Sequence, residues 1–443
     1  MILLGCSLAF YTWGELEYTV IMLLAIVSNY LLVRVMAQSQ YRKTLFVLTL
    51  ILNLALLGFF KYANFFIENL NLLLMNWQIN PLENTPIHLP IGISFFTFQA
   101  MSYVIDVYRG TNKVQKNLLD LGLYIALFPQ LIAGPIVRYK DIADQLIKRT
   151  LSREKFAEGI RRFVIGLGKK ILIANNMALI ADTMFAFSHD QLSTSMAWIG
   201  IIAYSLQIYF DFSGYSDMAI GLGLMFGFDF IENFNYPYIA QSIQDFWRRW
   251  HISLSNWFRD YLYIPLGGNR KGVFRTYINL YIVFFLTGLW HGASWNFIFW
   301  GLWHGTFLVL ERLGLKALLE RLWQPFRHVY TILVFTFGWV FFRAINFSEA
   351  LNYINRMLIW YEGNPYRTLA LIINNKLWLV LAMGIILSVP LHQSKMLKKV
   401  LSQPIMIRIW IPLFSTLSTI IILYLSLMSI ASSAYNPFIY FRF

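Results

Sequence analysis

The chain has 443 residues, of which 58% are hydrophobic, 18% aromatic and only 13% charged, with a net charge of +14 and a mean hydropathy of +0.55. These values exclude an ordinary soluble domain, in which about 25% of the residues are charged. They indicate a membrane protein whose excess of Lys and Arg lies in cytoplasmic loops. No nucleic-acid motif is present, and we expect no nucleic-acid partner.

Cysteine and histidine usage restricts the possible sites. The single cysteine, Cys6, excludes an intrachain disulfide framework and a cysteine-rich metal centre. No H-x-x-x-H pattern or acidic ligand set accompanies the histidines of the apolar segments, so we expect no metal ion. We also expect no bound cofactor. The N-terminal segment lacks the basic region and cleavage site of a signal peptide, and its first helix is expected to stay in the membrane.

Apolar runs recur along the whole chain, and many approach the length of about 20 residues that a membrane helix needs. A β-barrel would instead show short alternating strands. We predict an all-α polytopic membrane protein that forms one domain over residues 1–443, with a short further helix at 2–13. The predicted spans, about 11 in number, are 18–36, 45–60, 119–136, 160–184, 196–210, 218–230, 277–290, 296–310, 329–342, 377–389 and 411–430.

Two apolar segments contain helix-breaking residues. They are "HLPIGISFFTFQAMSYVIDVYRG" (88–110) and "FPQLIAGPIVRY" (128–139). Pro and Gly interrupt the helical hydrogen bonds, and backbone groups freed at membrane depth need protein or a wet cavity as partners. We predict that both segments are re-entrant or broken helices that line a central cavity.

The basic residues form two main clusters, at 138–170 and at 248–275, and smaller ones at 42–43, 312–327 and 395–399. The positive-inside rule places these clusters on the cytoplasmic side. Within the first cluster, residues 152–170 form either a helix that enters from the membrane interface or an ordinary cytoplasmic helix.

A first polar patch interrupts the apolar sequence in "YFDFSGYSDMAIGLGLMFGF" (209–228), where Asp211, Ser213, Tyr215 and Asp217 occur. Ionisable residues in a bilayer usually face the interior of the bundle. The patch therefore indicates either the polar wall of a cavity or a short loop between two spans, with aspartates as helix caps. The spacing does not decide between them.

A second patch, residues 244–272, contains His251 and an Asp245–Arg249 pair at i,i+4 spacing. Its three tryptophans indicate a belt at the membrane interface: Trp247, Trp250 and Trp257. His251 is either functional or a structural histidine of an amphipathic interfacial helix.

The third patch is "FLTGLWHGASWNFIFWGLWHG" (285–305), in which His291 and His304 each lie in a Trp-His-Gly triplet. A buried neutral imidazole can act as a general base near neutral pH. From composition alone, such a catalytic role competes with a structural one in which the imidazole forms a hydrogen bond between helices.

These patches together resemble the membrane-bound O-acyltransferase family, and specifically its bacterial branch that acetylates polysaccharides. The matching segments are 90–110, 128–139, 209–228, "ENFNYPY" (232–238), 245–270, "LWHGASWNFIFWGLWHG" (289–305) and "NPFIYFRF" (436–443). The resemblance implies a ring of tilted helices around a tunnel across the membrane. It also implies transfer of an acyl group from a thioester to a hydroxyl, with His291 as the key histidine and His251 as the second.

The resemblance further implies a site and its partners. His291 would act as general base, His251 would position the donor or relay the acyl group, and His304 would be mainly structural. The expected tunnel-lining residues are Asp211, Ser213, Tyr215, Asn233, Trp250 and Trp290. The expected donor is cytosolic acetyl-CoA, and the acceptor is an extracytoplasmic polysaccharide such as an alginate-like exopolysaccharide, cellulose or peptidoglycan.

The same resemblance places the protein in the bacterial cytoplasmic (inner) membrane. There it would work with a separate extracytoplasmic or membrane-anchored acetyltransferase. The alternatives are a D-alanyl or lipid acyltransferase of the same fold, and a membrane transporter, whose broken helices and buried polar residues would look alike.

Overall fold

The structure, a computed structural model, describes residues 1–83, 85–363, 369–393, 406–432 and 437–438. Within those ranges the chain is helical and contains no β-strand. Its helices, numbered in chain order, are α1 (Ile2–Gly14), α2 (Thr19–Gln38), α3 (Arg42–Asn76), α4 (Ile93–Arg109), α5 (Leu118–Ala126), α6 (Phe128–Leu131), α7 (Tyr139–Ile147), α8 (Arg153–Phe185), α9 (Thr194–Met225), α10 (Ile243–Arg249), α11 (Ile252–Phe258), α12 (Val273–His291), α13 (Trp295–Leu310), α14 (Lys316–Arg321), α15 (Gln324–Arg343), α16 (Phe347–Leu358), α17 (Leu369–Ile372), α18 (Asn375–Leu387) and α19 (Ile411–Ser432).

Several helices begin where a polar residue caps the first turn. The Ser152 hydroxyl accepts a hydrogen bond from the backbone N–H of Lys155 (3.1 Å) at the start of α8. Ser193 and Asn346 cap α9 and α16 in the same way. These side chains satisfy backbone donors that have no partner within the helix.

Six helices of the described ranges are long and apolar enough to cross a membrane: α2, α3, α8, α12, α15 and α19. Helices α1 and α18 are apolar but shorter. The prediction of an all-α polytopic membrane protein is confirmed. Fewer full-length spans are present than the apolar runs indicated, because several runs form short or buried helices instead.

Helices α4 and α9 form the interior of the bundle. Every residue of α4 from Ile93 to Val107 is buried, and so is most of α9. In α19, by contrast, Ser426 is the one buried residue among those described. A helix that is buried on all sides belongs to the core of a bundle, whereas an apolar helix with an exposed surface faces lipid.

The predicted span 196–210 and most of the predicted span 218–230 belong to one continuous helix, α9, which has 32 residues and ends at Met225. The alternative of a loop whose aspartates cap two helices is therefore wrong, because Asp211 and Asp217 lie in the middle of α9. Their carboxylates form ion pairs with Lys170 (2.7 Å) and Lys169 (2.6 Å) of α8. These ion pairs allow the helix to continue through a buried polar segment.

Segment 88–110 is more regular than predicted. Its backbone departs from the helix at Gly92, where φ is +77°, but residues 93–109 form an unbroken helix, so the prediction of a broken helix is wrong there. Segment 128–139 is irregular, as predicted, since α6 has only four residues. The run 119–136 is consequently not a single span.

The predicted tryptophan belt is also wrong. Trp247, Trp250 and Trp257 are only 8%, 2% and 5% exposed. Trp247 lies on α10, Trp257 lies on α11 and Trp250 lies in the turn between them, and all three pack inside the protein. Of the C-terminal motif 436–443, Pro437 and Phe438 are described, and the other six positions lie outside the described residues.

Candidate active site

His291 is the last residue of α12 and lies at the turn between α12 and α13. The two helices approach closely because both carry glycine at the contact. A Cβ atom on Gly288 or Gly301 would overlap a backbone carbonyl of the facing helix. Small residues permit such backbone-to-backbone packing in membrane helices, and here the packing fixes the position of the His291 backbone.

The His291 side chain is buried among aromatic rings. Its ring centroid lies 5.0 Å from that of Trp290, 4.9 Å from that of Trp300 and 5.2 Å from that of Phe342. All three contacts are edge-to-face, an arrangement that aromatic pairs prefer. The imidazole is therefore held in one place within a largely apolar cage.

His251 occupies the turn between α10 and α11, where its backbone has φ +43°. This left-handed conformation is uncommon for a residue other than glycine, and such conformations cluster at functional sites. The side chain is fully buried. Its Nδ1 atom lies 3.1 Å from Asn233 Oδ1, and its ring packs edge-to-face on Phe212.

The hydrogen bonds around Asn233 define the tautomer of His251. The backbone N–H of Ser253 faces the same Asn233 atom at 3.2 Å, and because an N–H can only donate, that atom must be the amide oxygen. His251 Nδ1 therefore carries a proton and donates it to Asn233. In the neutral imidazole Nε2 is then an acceptor, and it has no hydrogen-bond partner among the described residues.

Trp290 contacts both histidines. Its ring centroid is 5.0 Å from that of His291 and 5.9 Å from that of His251. The fold thus brings together four of the residues predicted from the sequence: His291, His251, Trp290 and Asn233. They come from α12, from the α10–α11 turn and from the segment that follows α9.

The other predicted tunnel residues lie in different surroundings. Ser213 lines a cavity of about 560 Å³ together with Asn233. Asp211 forms its ion pair with Lys170, and Tyr215 packs on Phe438 with ring centroids 4.9 Å apart. Trp250 packs in an aromatic cluster with Phe246 and Trp339.

His304 lies on α13 within the same aromatic core. Its ring contacts Trp247 and Trp300, both at 5.2 Å between centroids. It is fully buried, and its nitrogens have no hydrogen-bond partner among the described residues. The second Trp-His-Gly triplet is therefore separated from His291 by the ring of Trp300, which contacts both histidines.

Lys61 was not identified from the sequence, although it lies beside this site. Its Nζ donates to the backbone oxygen of Trp290 and lies 3.5 Å from that of His291. The sequence feature that could have identified Lys61 is its position inside the apolar helix α3, since ionisable residues within membrane segments are usually functional.

A narrow slot of about 200 Å³ lies between α10, α11, α12 and α13. Its walls are mainly apolar and include Trp247, Phe284 and Thr287, which is one helical turn before His291. Three arginines stand among its lining residues: Arg248, Arg259 and Arg312. The slot therefore combines an apolar interior with guanidinium groups, and it extends along α12 as far as Thr287.

The arginines of the slot differ in their partners. Arg259 donates to Asp260 at 2.8 Å. Burial raises the pKa of the Asp260 carboxyl, but hydrogen bonds from Arg259 and Lys140 outweigh burial and hold that pKa below its ordinary value. Arg248 and Arg312 form no ion pair with the described residues. Their charges remain available for an anionic ligand.

Two wider cavities adjoin the slot, with volumes of about 240 Å³ and 470 Å³. The first shares Arg248 with the slot, and the second shares Arg312. Lys316 lines both of them. Within the described residues no group of three or more His, Cys, Asp or Glu side chains could hold a metal ion.

Comparison with known families decides what kind of protein this is. The model of the membrane-bound O-acyltransferase family matches residues 8–348. The chain belongs to the membrane-bound O-acyltransferase family. It is therefore an O-acyltransferase that crosses the membrane several times, and the resemblance predicted from its motifs is confirmed.

Relatives within the family carry related names. The "Probable alginate O-acetylase" of Azotobacter vinelandii is 48% identical over 354 residues, which cover 79% of this chain and 70% of the relative. The "Peptidoglycan O-acetyltransferase" of Helicobacter pylori is 40% identical over 80% of this chain and 72% of its own length. The "Teichoic acid D-alanyltransferase" of Bacillus subtilis is 32% identical over 58% of this chain and 68% of its own length.

Proposed function

We propose that this acyltransferase takes an acetyl group from cytosolic acetyl-CoA and passes it across a bacterial cytoplasmic membrane for O-acetylation of an extracytoplasmic polysaccharide. The observation that carries this proposal is the pair of buried histidines that both contact Trp290, together with a slot that contains two arginines, Arg248 and Arg312, without an ion pair among the described residues. The names of the alginate and peptidoglycan relatives support the acetyl group and the polysaccharide.

In the proposed reaction His291 acts as general base. It accepts the proton of the acceptor hydroxyl while the hydroxyl oxygen attacks the thioester carbonyl. The new C–O bond forms, the C–S bond breaks, and the leaving thiolate receives the proton from His291. His251 Nε2 accepts a hydrogen bond from the bound substrate, since Asn233 already holds Nδ1.

The slot is the proposed site of the donor. An extended pantetheine arm fits a narrow, mainly apolar channel, and its thioester would end near Thr287, next to His291. Arg248 and Arg312 would bind the phosphates, because guanidinium groups form paired, charge-assisted hydrogen bonds with phosphate oxygens. Both arginines fall in basic clusters that the positive-inside rule places at the cytoplasmic face.

The proposal includes a second protein that acts on the acceptor. The acceptor polymer is outside the membrane, so we expect an extracytoplasmic or membrane-anchored acetyltransferase to complete the transfer. The D-alanyl alternative has one supporting observation, the 32% identity to the Bacillus subtilis relative. The two activities differ in their donor and can be distinguished directly.

The test is consumption of the donor by purified protein in detergent, measured as release of free thiol from acetyl-CoA. We expect thiol release above the background of a protein-free sample. A transporter would release no thiol. A D-alanyl transferase would leave acetyl-CoA intact and consume a D-alanyl thioester instead.

A further inference from the structure

Lys61 is a cation inside the apolar helix α3. Its Nζ lies 3.3 Å from Ser94 Oγ and 3.5 Å from the backbone oxygen of His291, and it donates to the backbone oxygen of Trp290. It is also 5.8 Å from the centre of the Trp290 ring. Lys61 forms no ion pair with a carboxylate of the described residues.

The end of α12 provides the missing counter-charge. The last carbonyl groups of a helix have no partner within the helix, and together they carry roughly half a negative elementary charge. The ammonium group of Lys61 lies where that negative end is found. A partly buried charge that would otherwise be costly is thereby stabilised by the backbone of the His291 helix.

The neighbouring residue of α3 contacts the same helix end. Tyr62 donates its hydroxyl proton to the backbone oxygen of Leu289 at 2.8 Å. Two consecutive residues of α3 therefore bind three consecutive carbonyl groups, those of Leu289, Trp290 and His291. Trp290, whose ring contacts both histidines, is the middle one of these three residues.

We propose that Lys61 is a positioning residue for acyl transfer, which holds the end of α12 and thereby the side chains of Trp290 and His291. The inference rests on the proposed catalytic role of His291. It requires both the hydrogen bonds and the positive charge of Lys61, because the carbonyl groups that it contacts carry the negative end of the helix. Lys61 itself does not touch the donor slot.

The experiment compares Lys61→Met, Lys61→Gln, Lys61→Arg and Tyr62→Phe in the thiol-release assay, with kcat and KM for acetyl-CoA measured separately. Lys43→Met is the matched control, since it makes the same substitution at an exposed position of the same helix. We expect Lys61→Met to lower kcat roughly 10- to 100-fold, which is the loss that follows when a residue that orients a reacting group is removed. KM should stay within about twofold, because the donor slot is intact.

The other variants separate positioning from folding. Lys61→Arg keeps charge and donors and should recover most of kcat, whereas Lys61→Gln keeps donors alone and should recover less. Tyr62→Phe should lower kcat less than Lys61→Met does, and Lys43→Met should match the unsubstituted protein. Specific activities are compared for protein that elutes as a single species and melts cooperatively.

Two results would overturn the inference. One is an unchanged kcat in folded Lys61→Met protein; the other is an equal loss of kcat in Lys61→Arg and Lys61→Met, which would show that neither charge nor donor matters. Failure of the proposed function looks different, because the unsubstituted protein would then release no thiol at all.

Discussion

Replacing Asn233 by leucine, which has a similar volume, removes the acceptor that orients His251. The Asn233 amide oxygen lies 3.1 Å from His251 Nδ1, 3.2 Å from the Ser253 backbone nitrogen and 2.9 Å from Ser253 Oγ. The amide nitrogen donates to Ser216 Oγ at 3.1 Å. Leucine would make none of these bonds, so the imidazole could rotate or move its proton to Nε2.

The expected losses of stability and of kcat follow from the polar groups that the leucine leaves without partners. The buried N–H groups of His251 and Ser253 would each cost about 1–3 kcal/mol when unsatisfied, or roughly 2–6 kcal/mol of folding stability together. The substitution removes the 3.1 Å bond between His251 Nδ1 and Asn233 and leaves Nδ1 with the longer 3.4 Å contact to Ser253 Oγ. We expect this loss to raise the reaction barrier by about 1–3 kcal/mol, which corresponds to roughly a 5- to 150-fold lower kcat.

The assay is thiol release from acetyl-CoA by purified Asn233→Leu protein, with its thermal midpoint measured in the same detergent. Asn233→Asp is the control, because a carboxylate keeps an acceptor for His251 Nδ1 and for Ser253. We expect the aspartate variant to retain clearly more activity than the leucine variant. Full kcat in folded Asn233→Leu protein would refute the assigned orientation of His251.

Three further predictions concern the slot, the helix packing and a buried ion pair. Arg248→Gln or Arg312→Gln should raise KM for acetyl-CoA roughly 10- to 150-fold with little change in kcat, since a charge-assisted bond contributes about 1.5–3 kcal/mol. An unchanged KM in steady-state kinetics would remove the slot as the phosphate site. Gly301→Ala should lower stability by roughly 1–3 kcal/mol, measured by thermal melting in detergent, because its Cβ overlaps a backbone carbonyl. Lys170→Met should lower the free energy of unfolding by about 3–5 kcal/mol, because it breaks the buried ion pair with Asp211. Adding Asp211→Asn should restore most of the melting temperature, and no recovery in the double variant would argue against the pair.

Local sequence motifs predicted the two histidines of the candidate site. The two histidine motifs are long and specific, and hydropathy correctly placed them in a helical membrane protein. The structure brings His291 and His251 into contact with the same ring, that of Trp290. The role of Asn233 as the orienting partner of His251 required the fold, because 18 residues separate the two in sequence.

Long-range partners explain what the sequence could not show. Asp211 and Asp217 look like loop residues in isolation, because their counter-charges come from another helix. The partners of Lys61 are carbonyl groups about 230 residues later in the chain. Trp247 belongs to a residue type that is enriched at the membrane interface, yet tertiary packing places it against His304.

The measurement that tests the central claim most directly compares the two Trp-His-Gly triplets in cells. Ester-linked acetate on the exopolysaccharide and on peptidoglycan is measured for His291→Phe and His304→Phe at equal membrane expression; both substitutions keep a buried aromatic ring and remove its nitrogens. The account predicts that His291→Phe abolishes acetate on one polymer, whereas His304→Phe retains it. Unchanged acetate on both polymers in the His291→Phe cells would contradict the claim that His291 catalyses acetyl transfer.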